Sequence, residues 1–523
     1  MDVLLDVNVV LDICALREPG ASLAASAVEK CVLCGGRVWL YSGSVQTYDY
    51  NLRRELKRVY AEKGATLSNA RCARLSKALL AELAKDKHWL ASLAGEGDVF
   101  GTDDPEDEQL ARSLERFQPN AIRLLTRDGL LLEKCPRAVT PEQYLEMDLP
   151  PKPLEFIDLK TQQDGIRPGL ERRLHRVLHH GQYIMGPEVA ELEKRLADFA
   201  GVEHAVTCAS GTDALLIAFM ALDVGPGDEV ITVPYTWIST AEVVALLGAK
   251  PVFADILPDT FNMDPDLVEA AITPRTKAVL PVSLYGQCAD MARINSVAER
   301  HGIPVVEDGA QSFGATHRGK KSCGLSAVGC TSFFPSKPLG CYGDGGALFT
   351  DDEALAEKMR RIRVHGRKVK HRHPLVGING RLDTVQAAVL LEKLEIFPGE
   401  CRLRREIGER YDALLADVPG IRTPVIAEGN ESVYAQYTVL CDDRDGLSKA
   451  LKDAGVPSAA YYAVPLHLQG AFKNLGHAPG DFPVSEKVAA ECLSLPMSPC
   501  LSEGEQDRVA AVVKNVFNGK RQR

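Results

Sequence analysis

Short apolar runs alternate with amphipathic segments along most of this chain, which predicts an α/β fold built on a largely parallel sheet flanked by helices. Two further observations divide it. At 523 residues the chain is too long for one ordinary domain, and length alone allows roughly two to four. A stretch carrying Pro150, Pro151 and Pro153 is stiff and cannot serve a strand ladder, which suits a linker. The expected organisation is a small α/β domain over residues 1–148, a proline-rich linker at 149–154, a large domain over 155–400 and a small α+β domain over 401–523.

In the first domain, MDVLLDVNVVLDIC is an apolar strand with Asp6, Asn8 and Asp12 at or beyond its end. Helical stretches such as NLRRELKRVYAEK follow, and a second strand, AIRLLTRDGLLL, ends in Asp128. Between them DDPEDEQLARSLERF sets Asp103, Asp104, Glu106 and Asp107 at a helix start. Acids gathered at strand ends and a helix start can converge on Mg²⁺ or Mn²⁺ through oxygen ligands. The same acids also suit solvated caps, because the helix dipole favours negative charge at its N-terminus.

In the large domain the strands AVTC, EVITV, AVLPVSL and IPVVE alternate with helical segments such as VEAAI and MARINSVAERHG. A long helix, LDTVQAAVLLEKLEIF, leads into the small domain from about Cys401.

Composition narrows the function classes. With 45% hydrophobic residues the chain can fill large cores, and a net charge of -10 argues against broad nucleic-acid binding. RNA contact would have to come through the first domain, where Arg53, Arg54, Lys57 and Arg58 form a basic cluster that equally suits the wet face of a helix. Asp2 and Asp6 interrupt the N-terminal apolar run, and the 14 cysteines are scattered, so no signal peptide and a reducing cytoplasm are expected. Cys31 and Cys34 form a CxxC without a second pair, which does not make a zinc site. The longest apolar run, Ala214 to Leu222, falls short of the roughly 20 residues that cross a bilayer.

Chemistry concentrates around Lys337, in FFPSKPLGCYGDGG from Phe333 to Gly346. A lysine among small, glycine-rich, oxygen-rich residues is how a Schiff-base lysine is housed; a turn with a surface lysine reads alike. Upstream, GIPVVEDGAQSFGA places Glu307 and Asp308 at the carboxyl end of a parallel strand, where open α/β sheets bind ligands. Asp308 there can hold a pyridinium nitrogen protonated or cap the next helix. Ser210-Gly211-Thr212 opens an apolar helix whose free N–H groups make a phosphate site or an ordinary cap. Trp237, one of three tryptophans, sits in ITVPYTWISTAE, where its face can stack on a flat ring or pack in a core. The order of phosphate turn, aromatic, acid, then Ser332-x-x-x-x-Lys337 describes a pyridoxal phosphate pocket.

From about Phe156 onward the chain resembles the DegT/StrS sugar aminotransferases, within the fold-type I pyridoxal phosphate enzymes. The resemblance rests on FIDL from Phe156, GQYIMGPEV from Gly181, SGTDAL from Ser210, VGPGDEVIT from Val224, SLYGQCAD from Ser283, EDGAQSFGA from Glu307, SFFPSKPLG from Ser332 and NGRLDTVQAA from Asn379. It implies that Lys337 is the Schiff-base lysine and proton shuttle, that Asp308 partners the pyridine nitrogen, that Trp237 stacks, and that Gln311 neighbours the ring hydroxyl. Gly211, Thr212 and Ser332 would hold the phosphate. Asn379 matches a residue donated across a dimer interface, which implies a homodimer with shared sites. The implied reaction moves an amino group from glutamate to a nucleotide-linked keto sugar.

Within the family, SLYGQCAD and FFPSKPLGCYGDGG look most like enzymes that aminate C3 of UDP-2-acetamido-2-deoxy-3-oxo-glucuronate for surface polysaccharides. A uronate carboxylate needs a cation, and Arg381 in NGRLD can supply a bidentate guanidinium or form a surface ion pair. The basic run from Arg363 to His373 can attract a diphosphate or remain a solvated loop. Tyr461, Tyr462 and His467 border the implied sugar pocket. Two departures stand out: Gly309 replaces a common alanine, and Ala463 replaces a common proline near that pocket.

Residues 1 to 148 resemble a PIN domain, a small α/β fold whose active members are metal-dependent ribonucleases. Asp6, Asp107 and Asp128 match three of its acidic positions, with Asp104 a rival to Asp107. Its further acid is not plainly present in SGSVQTYDYN, where Asp49 stands nearest, and a degenerate domain used for contacts or regulation is the expected reading.

Overall fold

The structure is a computed structural model. It describes residues 154–518 and, ahead of them, residues 2–5, 26–27, 38–41, 88–90, 122–126, 132, 135 and 137–146. The chain divides into two compact units, Met1–Pro153 and Leu154–Arg523.

In the first unit the strands are β1 (Asp2–Leu5), β2 (Val38–Tyr41), β3 (His88–Leu90), β4 (Ile122–Leu125) and β5 (Ala138–Val139), followed by α1 (Pro141–Glu146). They lie in the order β3-β2-β1-β4-β5, every pair parallel. Parallel strands need crossover connections, so this is an α/β unit. The central strands β1 and β4 run in register from Asp2↔Ile122 to Leu5↔Leu125, with Leu5, Leu124 and Leu125 buried. The candidate metal ligands Asp6, Asp107 and Asp128 lie outside the described residues, as do Asp49, Arg53 and the Cys31–Cys34 pair. Among the described residues, no group of three or more His, Cys, Asp and Glu could hold a metal ion.

The second unit opens with α2 (Leu159–His180) and α3 (Pro187–Ala200), then runs β6 (His204–Cys208), α4 (Gly211–Ala221), β7 (Glu229–Thr232), α5 (Ser239–Leu246), β8 (Lys250–Phe253), α6 (Pro265–Ala271), β9 (Thr276–Val279), α7 (Met291–Arg300) and β10 (Val306–Asp308). After the short strands β11 (Thr316–His317) and β12 (Lys320–Lys321) come β13 (Val328–Ser332), β14 (Gly346–Thr350), α8 (Glu353–Ile362) and α9 (Thr384–Leu415).

Two rows of strands, β8-β7-β9 and β10-β13-β14-β6, are joined by the parallel bridges Val279↔Val305 and Val282↔Asp308. Only β14 runs against its neighbours in this sheet. Strands such as EVIT are buried along their whole length, as expected of a parallel sheet covered on both faces. Successive residues serve opposite faces. Leu348 packs with Val206, Phe219, Val243 and Met359 under α4, α5 and α8, whereas Phe349 packs with Leu192, Leu196, Phe313 and Phe397 under α3 and α9. Each such side chain contributes roughly 1.5–3 kcal/mol on burial.

Helix α9 passes residue 400 without a break, despite Pro398, and carries the chain to Leu415. The remaining elements are β15 (Ile421–Arg422), β16 (Asn430–Glu431), β17 (Tyr437–Cys441), α10 (Arg444–Asp453), α11 (Pro483–Glu491), β18 (Cys492–Leu495) and α12 (Glu503–Asn518). The antiparallel row β15-β17-β18 shares a core with α9, α10 and α12 through Tyr411, Tyr437, Leu447 and Val513. Because β6, β7, β10 and β13 point the same way, the residues just past their carboxyl ends gather along one edge of the sheet.

Candidate functional site

That edge is closed by contacts too tight for side chains. Ser210 caps α4 by accepting from the Asp213 N–H at 3.0 Å. A Cβ on Gly211 would stand 2.6 Å from Ser332 Cβ, and one on Gly346 would stand 2.4 Å from the Ser210 carbonyl oxygen. Glycine at both positions lets the α4 N-terminus press against the ends of β13 and β14. Thr212 Oγ1 lies 2.7 Å from Ser239 Oγ, which brings the starts of α4 and α5 together. Free N–H groups and hydroxyls at a helix start form an anion cradle.

Asp308 ends β10 and is buried. No helix starts beside it, so it does not serve as an N-cap. Its Oδ1 accepts from the Ala310 N–H at 3.1 Å and its Oδ2 from Thr240 Oγ1 at 3.0 Å. Burial raises its pKa, while these hydrogen bonds and the charge of Lys337 oppose that rise. Such a carboxylate is fixed in direction and short of positive charge.

Lys337 lies half-buried on a loop whose ends are tied by Phe333 N–H to the Gly345 carbonyl at 2.7 Å, and by Cys341 N–H to the Phe333 carbonyl at 2.8 Å. Burial lowers the Lys337 pKa, and the Asp308 charge works against that lowering. A lysine with a depressed pKa is a better nucleophile near neutrality. Ser332, at the end of β13, accepts from the Phe334 N–H at 3.2 Å and so orders the start of the loop.

Trp237 is 58% exposed, which removes the core-packing alternative and leaves its face open beside Tyr462, at 6.0 Å between ring centroids. Gln311 is buried, with Oε1 accepting from the Tyr285 N–H at 2.9 Å and Nε2 donating to the Tyr462 hydroxyl at 2.9 Å. Gly211, Thr212, Trp237, Asp308, Gln311, Ser332 and Lys337 therefore line or border one edge of the sheet. The buried carboxylate, the softened lysine, the open indole face and the anion cradle fit a pyridoxal phosphate group.

Arg381 is half-buried and has no ion-pair partner among the described residues, unlike the surface pair that its sequence also allowed. Asn379 is exposed, on a segment held to the start of the Ser210-Gly211-Thr212 turn by Ala209 N–H donating to the Gly380 carbonyl at 3.1 Å.

Two expectations are corrected. His467 is buried, with Nε2 3.1 Å from Glu486 Oε1 and its ring stacked edgewise on Phe482, so it belongs to the Phe253, Phe472 and Phe482 cluster and not to an open sugar surface. Arg363 is the second. It is buried, binds Glu193 and the Thr207 carbonyl, and locks β6 to α3 and α8, which leaves the exposed basic run to residues after it.

Sequence reasoning passed over Thr240, Ser239, Tyr235 and Tyr285. The first two were readable as hydroxyls at a helix start just after Trp237; the tyrosines carried no local signal.

Comparison with known proteins places this geometry. The DegT/DnrJ/EryC1/StrS aminotransferase family model matches residues 166–514. A UDP-2-acetamido-2-deoxy-3-oxo-D-glucuronate aminotransferase of Pseudomonas aeruginosa is 57% identical over 362 residues, 69% of this chain and 100% of that protein. A crystal structure of a DegT DnrJ EryC1 StrS aminotransferase from Brucella abortus matches with a TM-score of 0.68 at 46% identity, covering 70% of this chain and 99% of that one. The structure of ntda from Bacillus subtilis with bound cofactor PMP matches with a TM-score of 0.64 at 33% identity, covering 68% of this chain and 82% of that one. The chain belongs to the DegT/DnrJ/EryC1/StrS aminotransferase family.

Proposed function

We propose that the second unit uses pyridoxal 5'-phosphate to move an amino group from glutamate to a UDP-linked keto sugar, UDP-2-acetamido-2-deoxy-3-oxo-glucuronate, for surface polysaccharide synthesis. The observation that carries this is the buried Asp308 carboxylate, held by Thr240 and the Ala310 N–H at the same sheet edge as Lys337 and as the Gly211, Thr212 and Ser332 cradle. When bound, the cofactor supplies an electron sink for proton removal from the amino donor.

The residues take the following parts. Lys337 would tether the cofactor, and its freed amine would hold and move the proton taken from the donor's α-carbon. Asp308 would hold the ring nitrogen protonated, Trp237 would stack on the ring, Gln311 would offer an N–H to the ring oxygen, and the α4 start with Ser332 would take the phosphate. Arg381, free of an ion pair among the described residues, pairs with the sugar carboxylate. Residues 367–373 are exposed and rich in Arg, Lys and His, which supports an electrostatic role towards the diphosphate.

A homodimer is part of the proposal. Exposed Asn379 would reach the neighbouring site, and large apolar side chains are exposed at Tyr183, Ile184, Met185 and Phe334. Free thiols at the nine buried cysteines described, from Cys135 to Cys492, support a reducing compartment, and no described helix is long and apolar enough to cross a membrane.

The test is the visible absorption of the protein with pyridoxal phosphate, followed by UDP-2-acetamido-3-amino-glucuronate, with Lys337→Ala beside it. A visible band that this sugar bleaches and 2-oxoglutarate restores, absent in Lys337→Ala, is expected. A band indifferent to this sugar sinks the uronate assignment, and a band retained by Lys337→Ala sinks the role of the lysine.

A further inference from the structure

A hydrogen-bond chain behind the site has a direction that can be read from its ends. Tyr285 adopts φ 55°, a left-handed conformation that costs of order 1–3 kcal/mol for a bulky residue and persists only where its surroundings hold it. Gly286 follows at φ 112°, and a Cβ there would stand 2.5 Å from the Tyr434 nitrogen, so the turn is wedged in place. The strained residue is gripped at both ends: its N–H donates to Gln311 Oε1 at 2.9 Å, and its hydroxyl lies 2.7 Å from the Tyr235 hydroxyl.

A backbone N–H can only donate, so the atom it meets on Gln311 must be the oxygen and the amide cannot be reversed. Its Nε2 then donates to the Tyr462 hydroxyl at 2.9 Å, which leaves the Tyr462 proton free to serve another acceptor. The same reasoning fixes Tyr235. Its proton goes to the Tyr461 carbonyl at 2.7 Å, since a carbonyl can only accept, so its oxygen accepts from the Tyr462 N–H at 3.2 Å and from the Tyr285 hydroxyl. Tyr235 is fully buried, where a hydrogen bond is electrostatically stronger than in water.

We infer that Tyr285 and Tyr235 are positioning residues: Tyr285 sets the polarity of Gln311, and Tyr235 fastens the Tyr461–Tyr462 segment, so that Gln311 Nε2 and the Tyr462 hydroxyl proton both face the reacting groups as donors. The inference rests on the cofactor site proposed above and adds what orients it. It also gives a task to the motif SLYGQ, which touches no reacting atom in that proposal. The acceptors served are oxygens: the cofactor's ring oxygen for Gln311, and a carbonyl or carboxylate oxygen of the substrate for Tyr462.

Two variants test the direction of the chain. Tyr235→Phe removes one hydroxyl and its three bonds while keeping the ring; Gln311→Glu keeps the shape but turns a donor into an acceptor, so that Tyr462 must point its proton back at residue 311. Full-length protein loaded with pyridoxal phosphate is followed by the pH midpoint of its visible band, by cofactor dissociation, and by KM and kcat. Gln311→Glu should raise the midpoint by more than about 0.5 unit, since an added carboxylate favours the protonated chromophore. Tyr235→Phe should raise KM for the keto sugar roughly threefold to tenfold, as expected for a lost set of buried hydrogen bonds. Tyr285→Phe, which keeps the N–H to Gln311 and the Tyr235 bonds to Tyr461 and Tyr462, should stay nearest the wild type in midpoint and KM, and Gln311→Glu carries the test should Tyr235→Phe not fold. A Gln311→Glu protein that loads normally with the wild-type midpoint, or a Tyr235→Phe protein that loads normally with the wild-type KM, overturns this inference alone. A wild-type protein that binds no pyridoxal phosphate overturns the functional proposal and this inference with it.

Discussion

Replacing Asp308 with asparagine is the most discriminating single change, because it removes a charge and little else. The side chain keeps its size; its oxygen can still accept from the Ala310 N–H, and its new NH₂ can donate to Thr240 Oγ1. Asp308 is 6% exposed, so the buried regime applies to the charged pair it would form with the cofactor's ring nitrogen, in which removing one member costs roughly 3–5 kcal/mol instead of the roughly 0–1 kcal/mol typical at a surface. At about 1.36 kcal/mol per decade, this corresponds to a loss of roughly two to four orders of magnitude in rate, if the charge acts mainly in the transition state. Stability should move the other way in the cofactor-free protein. Burial raises the folded-state pKa, so the folded chain holds this proton more tightly than the unfolded one, and stability falls as pH rises from the unfolded pKa through the folded one. Asparagine removes that cost at neutral pH. The assay is single-turnover reduction of the visible band by glutamate, with thermal melts of the cofactor-free protein. A loaded Asp308→Asn protein that reacts within tenfold of the wild type would refute the reasoning.

Arg381→Ala should raise KM for a uronate sugar by roughly tenfold to a hundredfold while leaving the glutamate half-reaction within a few-fold, as expected for loss of a charged hydrogen-bonding partner; stopped-flow measurement of each half-reaction checks this. Gly211→Ala should weaken cofactor binding by more than about tenfold, because its Cβ would stand 2.6 Å from Ser332 Cβ and force the α4 start away from β13; equilibrium dialysis reads the change. Lys393 is buried against the Tyr342 ring with its pKa pushed down to about 8 from 10.5, so at pH 7 its charge costs stability that is recovered as pH rises through 8 towards 10.5. The shift corresponds to about 3 kcal/mol at most, and Lys393→Met should be relatively more stable at pH 7 than at pH 9 when its melting temperature is compared with the wild type at each pH.

Much of the proposed cofactor edge was legible before folding. Lys337, Asp308 and the Ser210-Gly211-Thr212 turn announce themselves because each depends on a local rule: small residues around a lysine, an acid at a strand end, a hydroxyl and glycine at a helix start. The sheet followed from near-continuous apolar strands separated by helices. Other residues misled for reasons that are also physical. His467 stands among aromatic and proline residues typical of a pocket wall, yet its partner Glu486 lies nineteen positions away and draws it inward. Arg363 begins a basic run in sequence, but Glu193 and Thr207 capture it from another part of the chain.

The sequence by itself determined the family resemblance, the α/β class and the chemical types at the site, since these depend on residue identity and spacing along one strand, turn or helix. Only the tertiary structure decided that Thr240 steadies Asp308, that Arg381 is left without an ion pair among the described residues, and that Tyr235, Tyr285, Gln311 and Tyr462 form one directed chain. Those facts depend on which segments meet, and Tyr235 is 226 residues from the Tyr461 carbonyl it binds. No window of sequence holds both ends of such a bond; packing the sheet, with its parallel strands aligned at one edge, is what brings them within hydrogen-bonding distance.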